Sequence, residues 1–159
     1  MAKGNKKTSN EATIENRRAR HDYTILDTIE CGVQLVGSEV KAVREGNASL
    51  AEGYVSVKGD PPELTLWNVN IGEYAPAGAM QHKLTRTRRL LAKRREIDKL
   101  ARQVDQKGLT LVPLRMYFKN GFVKVLVGLA EGRRNYDKRQ AIKERETKRE
   151  LQRAMSKQM

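Results

Sequence analysis

The chain has 159 residues, with 32 Lys+Arg against 19 Asp+Glu and a formal charge of +13. That length suits one ordinary domain with tails, and so large a charge favours a polyanionic partner through phosphate neutralisation and counterion release. A lone cysteine, Cys31, excludes a disulfide framework and a CxxC metal pair, and without an apolar leader or a run of 18 apolar residues neither secretion nor a membrane partner is supported, so the cytoplasm is the expected location.

Residues 1–13 are polar, carry Lys3, Lys6 and Lys7, and read as a flexible tail. A basic knot follows at Asn16-Arg17-Arg18-Ala19-Arg20-His21, just before the first strand. Tyr23, Ile25, Asp27 and Ile29 alternate with Thr24, Leu26 and Thr28, which predicts a strand, and Val33–Val36 and Val40–Arg44 read as two more, joined near Gly37-Ser38. Asn47 is placed to cap a short helix over Ala48–Glu52. Tyr54, Val55 and Val57 open a strand that stops at Gly59-Asp60-Pro61-Pro62, and Leu64–Trp67 and Val69–Ile71 are short β segments. Residues 72–85 read as an exposed loop of a length that is often functional.

Leu90, Leu91, Ile97, Leu100, Ala101 and Val104 recur at helical spacing, with Thr85 or Thr87 as cap and Gly108 as terminator. Leu114, Met116 and Phe118 then alternate, Asn120-Gly121 supplies a tight turn, and Val123, Val125, Val127 and Leu129 alternate on the return strand. Pro113 marks an edge or a bulge. Six or seven short strands with two internal helices over residues 14–130 predict a mainly β fold, a small closed or nearly closed barrel with peripheral helices.

Residues 131–159 hold ten Lys/Arg, five Asp/Glu and one aromatic, Tyr136. Such a segment lacks the apolar side chains to offset its ordering entropy, so it is expected to be disordered when free. Lys138, Ile142, Arg145 and Arg149 share a helical face, and Glu144 and Lys148 form an i, i+4 pair worth a few tenths of a kcal/mol. The arm is therefore expected to become helical mainly on an anionic partner.

Catalytic chemistry is poorly supported. His21 and His82 lie in no metal-ligand spacing, no phosphate loop of the GxxxxGK[ST] type occurs, and Cys31 reads as a small buried hydrophobe. No metal or cofactor is expected. Asp22 beside His21 would point to the opposite face of a strand. The cations are more telling: Arg86, Arg88, Arg89, Lys93, Arg94 and Arg95 fall within ten residues, with only Glu96 and Asp98 following as acidic neighbours. Two Phe, five Tyr and one Trp are too few for a platform that stacks successive bases, so Trp67 and Phe118 read as core and a folded RNA read by shape fits better. Tyr136, in a polar arm, is the aromatic placed to stack on a base or at an interface.

Five motifs occur here in the order found in the SsrA-binding protein (SmpB) family: Asn16 to His21, Gly37-Ser38-Glu39-Val40-Lys41, Thr85-Arg86-Thr87-Arg88-Arg89-Leu90-Leu91, Gly108-Leu109-Thr110-Leu111-Val112-Pro113-Leu114 and Tyr136-Asp137-Lys138-Arg139. The chain resembles that family over residues 14–153. The resemblance implies a barrel of oligonucleotide-binding type, no enzyme activity, and two partners: transfer-messenger RNA, and the stalled ribosome with its small-subunit RNA. It implies that a monomer works in the complex, that the body grips the tRNA-like part of the RNA, and that the arm enters the decoding region and the empty messenger channel.

By motif match Asn16, Arg17, Glu30, Lys41 and Leu90 would face the RNA, and the charge pattern adds Arg18, Arg20, His21, Arg44, Arg86, Arg88 and Arg89. Glu30 would accept from a base amino group or hold a neighbouring arginine, and Leu90 would touch RNA or sit in the core. In the arm Tyr136, Asp137, Lys138, Arg139, Lys143, Arg145 and Arg149 would contact the ribosome. Ala42, Glu131, Arg133 and Arg134 depart from the family's usual serine, basic residue and lysines. The rival readings are a general ribosomal RNA-binding protein or RNA chaperone, and a nuclease using His21 or His82.

Overall fold

The computed structural model describes residues 11–132 and 135–157, with the backbone alone for Met80 and residues 135–141. The expected N-terminal tail therefore lies largely outside the described residues. Of residues 11–13, Glu11 approaches Arg44 at 3.7 Å.

The strands are β1 (Ile14–Glu15), β2 (Tyr23–Val33), β3 (Ala48–Ser49), β4 (Tyr54–Lys58), β5 (Glu63–Trp67), β6 (Asn70–Ile71), β7 (Arg88–Leu91), β8 (Thr110–Lys119) and β9 (Phe122–Gly132). The helices are α1 (Arg17–Asp22), α2 (Gly37–Arg44), α3 (Arg94–Lys107) and α4 (Asn135–Lys157). The fold is mixed β/α. All strand pairings are antiparallel and run β8–β4–β5–β7–β2–β9, with β9 pairing again with β8 and β1 lying against β8. The contact of β4 with β8 is the thinnest, a single register pair of Val55 with Leu111. β3 and β6 form a separate two-stranded ribbon.

The hairpin β8–β9 forms as its sequence predicts. Asn120 (φ 52°) and Gly121 (φ 79°) take the positive φ that a two-residue turn of this kind needs, closed by the pair Lys119–Phe122. The register shifts between Pro113 and Arg115, so the proline does mark a bulge. Inward residues of β4, β5, β7, β8 and β9 pack with Cys31, with Ala42 and Val43 of α2, and with Ile97 and Leu100 of α3. A second cluster, Ala19, Val112, Leu114 and Ala130, sits beneath α1. Because α1 covers what would otherwise be an outer face of β8, Leu111 through Leu114 are all buried, and alternation fails there.

Several local expectations are corrected. Residues 40–44 belong to a helix, α2, and β2 ends at Val33. Glu39 accepts the Val36 amide at 3.0 Å across the first turn, and Glu39, Ala42 and Val43 form one buried helical face. No helix follows Asn47: its side-chain amide donates to the Glu73 carbonyl (3.2 Å), stapling the end of α2 to the exit of β6. Leu90 and Leu91 lie on β7, not on the long helix, because Leu90 pairs with Leu64 on one side and Val33 on the other. The helix α3 starts only where Glu96 accepts the Lys93 amide (3.3 Å), and Gly108 ends it in the left-handed conformation (φ 61°). Trp67, expected in the core, is exposed, as parity with the buried Leu64 and Leu66 requires.

The arm is helical as α4 in the chain alone, whereas its composition predicts order mainly on a partner. Residues 142–157 are all exposed, so the helix rests on no described core contact. It is built mainly from Lys, Arg, Glu, Gln, Leu and Ala, which lose little on entering a helix. Among the described residues, no helix is long and apolar enough to cross a membrane.

Candidate nucleic-acid interface

The basic knot is a helix with one buried side. Asn16 caps α1: its carbonyl oxygen accepts the Ala19 amide (3.1 Å), and its side-chain amide donates to Leu50 (3.1 Å) and Pro113 (2.8 Å) carbonyls. Asn16 is 4% exposed, and every side-chain atom that could meet a base is engaged within the chain. The expectation of an RNA contact from this residue is therefore corrected to one of positioning. Ala19 faces inward, so Arg17, Arg18, Arg20 and His21 face solvent. Arg18 pairs with Glu52 (2.5 Å) and Asp22 (3.5 Å), while Arg17 and Arg20 form no ion pair with a described residue. His21 and Asp22 sit on a helix, so they meet (Nδ1 to Oδ1, 3.1 Å) where strand geometry would have parted them.

On β7 the alternation of the strand sorts the cations. Arg88 and Leu90 point inward and Arg89 and Leu91 outward. Arg88 is fully buried, with its guanidinium on the Glu39 carboxylate and the carbonyls of Val69 (2.7 Å) and Leu84 (3.1 Å). Arg86 joins the other oxygen of Glu39 at 2.5 Å. Burial opposes the Glu39 charge, but hydrogen bonds from Arg86, the Val36 amide and Arg88 outweigh it, and the carboxyl is held below the usual range. Arg88 and Leu90 are thus core residues, and their expected RNA contacts are corrected. Arg89 stays exposed beside Glu63 (3.0 Å).

Glu30 lies outward on β2. Tyr117 donates its hydroxyl to one carboxylate oxygen, and the Lys119 ammonium lies 3.2 Å from the other. These two bonds, that of Tyr117 foremost, hold the Glu30 carboxyl below its ordinary value. The Tyr117 hydroxyl is pushed up to about 12, chiefly by burial and then by Glu30. Among the described residues no arginine pairs with Glu30; the neighbour it orders is Tyr117, and its remaining lone pairs can still accept from an amino group. Lys41 sits 5.2 Å from the Tyr74 ring centroid and Arg44 5.4 Å from that of Phe118, both exposed.

Cys31 is a fully buried core residue, its thiol pushed up to about 12 by burial and then by Glu96 and Glu30. His82 bridges Ser38 (2.9 Å) and the Ile71 carbonyl (2.8 Å), a structural link that pins the 72–85 loop. In the arm, Lys143, Arg145 and Arg149 are exposed on α4; the side chains of Tyr136, Asp137, Lys138 and Arg139 lie outside the described residues. The residues that sequence reasoning passed over are Tyr117 and Lys119, which carry no local motif, and Glu39, which stands in a motif that gives it no role of its own. Each becomes visible only through strand or helix register.

The chain matches the SmpB protein family over residues 13–157. It is 46% identical to an SsrA-binding protein of Levilactobacillus brevis, covering 96% of each chain. With an SsrA-binding protein of Anaeromyxobacter dehalogenans identity is 51%, covering 92% of this chain and 88% of the relative. A chain of the solved structure described as "tmRNA-SmpB: a journey to the center of the bacterial ribosome" superposes with a TM-score of 0.66 at 42% identity, covering 82% of this chain and 94% of that one. Exposed cations stand on the capped helix α1, at Arg89 of β7 and along α4, in a sequence that matches along almost its whole length, and the chain belongs to the SmpB family.

Proposed function

We propose that this chain is a non-catalytic, RNA-binding adaptor that grips the tRNA-like domain of transfer-messenger RNA and delivers it to stalled ribosomes for trans-translation. One observation carries this reading: the family match runs from the cationic body into the arm without a break, so both halves of an adaptor are present in one chain. The strand pairings, which lead from β8 around to β9 and back, support a barrel of oligonucleotide-binding type as the body.

Within that reading Arg17, Arg20 and His21 of α1, with Arg18, lay cations along an RNA backbone, and Glu30, oriented by Tyr117, accepts from a base amino group. Lys41, Arg44, Arg86 and Arg89 extend the electrostatic footprint. Asn16, Arg88 and Leu90 act on RNA only by holding α1 and β7 in place. The arm, with Tyr136 to Arg139 and then Lys143, Arg145 and Arg149, occupies the decoding region and the empty messenger channel, where messenger RNA and helix compete for one space. The protein works as a monomer in this complex.

The test is a comparison of affinities for transfer-messenger RNA and for unrelated folded RNAs of equal length at matched salt. The adaptor reading expects at least a tenfold preference for the first. Equal affinities would instead favour a general ribosomal RNA-binding protein or chaperone.

A further inference from the structure

Tyr54 of β4 and Trp67 of β5 are register partners on the outer face of the sheet. Their rings are parallel to within 5°, with centroids 6.2 Å apart. Both are exposed, Tyr54 by 42% and Trp67 by 36%, in a chain with only eight aromatic residues. The indole is not free to turn: Trp67 Nε1 donates to Ser56 Oγ at 2.8 Å. A parallel, locked, uncovered aromatic pair wastes apolar surface on water unless something flat covers it.

Cations flank the pair on both sides. Tyr54 lines a cleft of about 220 Å³ together with Arg18 and the two carboxylates that pair with it, Asp22 and Glu52, so α1, which also carries the exposed Arg17 and Arg20, begins where the aromatic surface ends. On the other side Thr65, two residues before Trp67 on the same face, pairs with Arg89. Phosphates can therefore lie on α1 and β7 while a base from the same strand lies on the rings.

We propose that the Tyr54–Trp67 pair is a stacking shelf for one unpaired nucleobase of the RNA that α1 holds. The inference rests on the RNA-binding reading above and adds to it a contact with an unstacked base, beyond recognition by shape and phosphate position. Every base has a π-face, so the shelf confers affinity with little sequence preference.

Trp67 is the sole tryptophan, so its emission reports this surface and no other. The full-length chain is titrated with the tRNA-like domain of transfer-messenger RNA, which has unpaired loop bases, and with a fully paired RNA duplex, at the same salt and phosphate concentration. The shelf expects Trp67 emission to be strongly quenched by the first and little changed by the second. It also expects Tyr54→Ala with Trp67→Ala to weaken the first complex by about 5- to 100-fold and to leave duplex affinity unchanged. Because an exposed pair can be removed without opening the core, thermal unfolding of the double variant checks that the body persists; Tyr54→Leu with wild-type Trp67 provides a milder second variant, expected to weaken the first complex by a smaller factor. Tight binding of the tRNA-like domain with Trp67 emission unaltered would overturn the shelf while leaving the adaptor reading in place. Failure of the tRNA-like domain to bind at all would overturn both.

Discussion

Glu39 of α2 and Arg88 of β7, forty-nine positions apart, are fully buried against each other and join helix to sheet. Such a pair contributes little net stability over an apolar replacement, but removing one partner strands the other. Glu39→Ala should therefore cost about 3–5 kcal/mol in urea unfolding, since it strands Arg88. A double change to apolar residues of similar volume should recover much of that loss. If Glu39→Ala unfolds with the parental midpoint, Arg88 has found other acceptors and the pair does not hold α2.

The same carboxylate gives the fold a pH dependence with a fixed sign. Its folded pKa is depressed, so the contribution is complete above the unfolded value of roughly 4.3 and fades as pH falls through the lower folded value. Unfolding free energy measured from pH 6 to pH 2.5 should fall more for the parent than for Glu39→Gln, with the difference confined to the acid side of about 4.3. Parallel curves would assign acid sensitivity to other carboxylates.

Asn16 and Arg17 are neighbours with opposite fates. Asn16→Ala removes the α1 cap and leaves the Leu50 and Pro113 carbonyls without their donor, so stability should fall by about 1–3 kcal/mol. Arg17→Ala with Arg20→Ala removes two exposed cations, so stability should stay within about 0.5 kcal/mol. That double change should lower the magnitude of the slope of log affinity for transfer-messenger RNA against log salt by about 1–2. A salt slope unchanged in the double variant would place the phosphates elsewhere.

Leu90 separates in the same way from Arg89. Leu90 is 2% exposed between β2 and β5, and Leu90→Ala should cost about 2–5 kcal/mol. Any loss of RNA affinity in this variant should disappear once it is corrected for the folded fraction. Weakened binding by a fully folded Leu90→Ala protein would return this side chain to the RNA face.

The hairpin end of β8 and β9 was legible from period two, and the tight turn at Asn120-Gly121 fell where turn chemistry placed it, although the far ends of both strands, Leu111 to Leu114 and Val127 to Ala130, are buried without alternation. What the sequence hid was the choice between local periods. Leu90 and Leu91 fit the helical stripe of Ile97 and Leu100, and only long-range pairing with Val33 and Leu64 claims them for a strand. That one reassignment turns a cluster of six apparent surface cations into a mixture, with Arg88 inside and Arg89 outside. The parity that buries Leu64 and Leu66 was already enough to put Trp67 on the surface. Glu39 gave no sign of burial, because an acid becomes a core residue only when its cationic partners, remote in sequence, arrive.

The boundary of the arm can be set by the ladder. β9 extends to Gly132, which pairs with Tyr23, and Glu131 pairs with Thr24. A truncation after Ala130 would therefore strip the end of β2 of two partners, whereas one after Gly132 leaves the sheet whole. The latter removes ten Lys/Arg and four Asp/Glu, and residues 142–157 of α4 contribute no buried side chain. The chain ending at Gly132 should unfold within about 0.5 kcal/mol of the parent and still prefer transfer-messenger RNA over unrelated folded RNA. In a reconstituted stalled-translation assay it should fail to support peptide tagging, because nothing is left to enter the channel. Changing Asp137, Lys138 and Arg139 together to Ala in the full chain should reproduce the tagging defect with RNA affinity almost intact, and Tyr136→Ala should give a milder one, since it removes a ring and keeps two cations. Rapid-mixing measurement of peptidyl transfer with pre-bound RNA isolates the step. Parental transfer rates in the triple variant would remove residues 137–139 from the decoding region, and loss of RNA preference in the truncated chain would mean that the arm, not the body, selects the RNA.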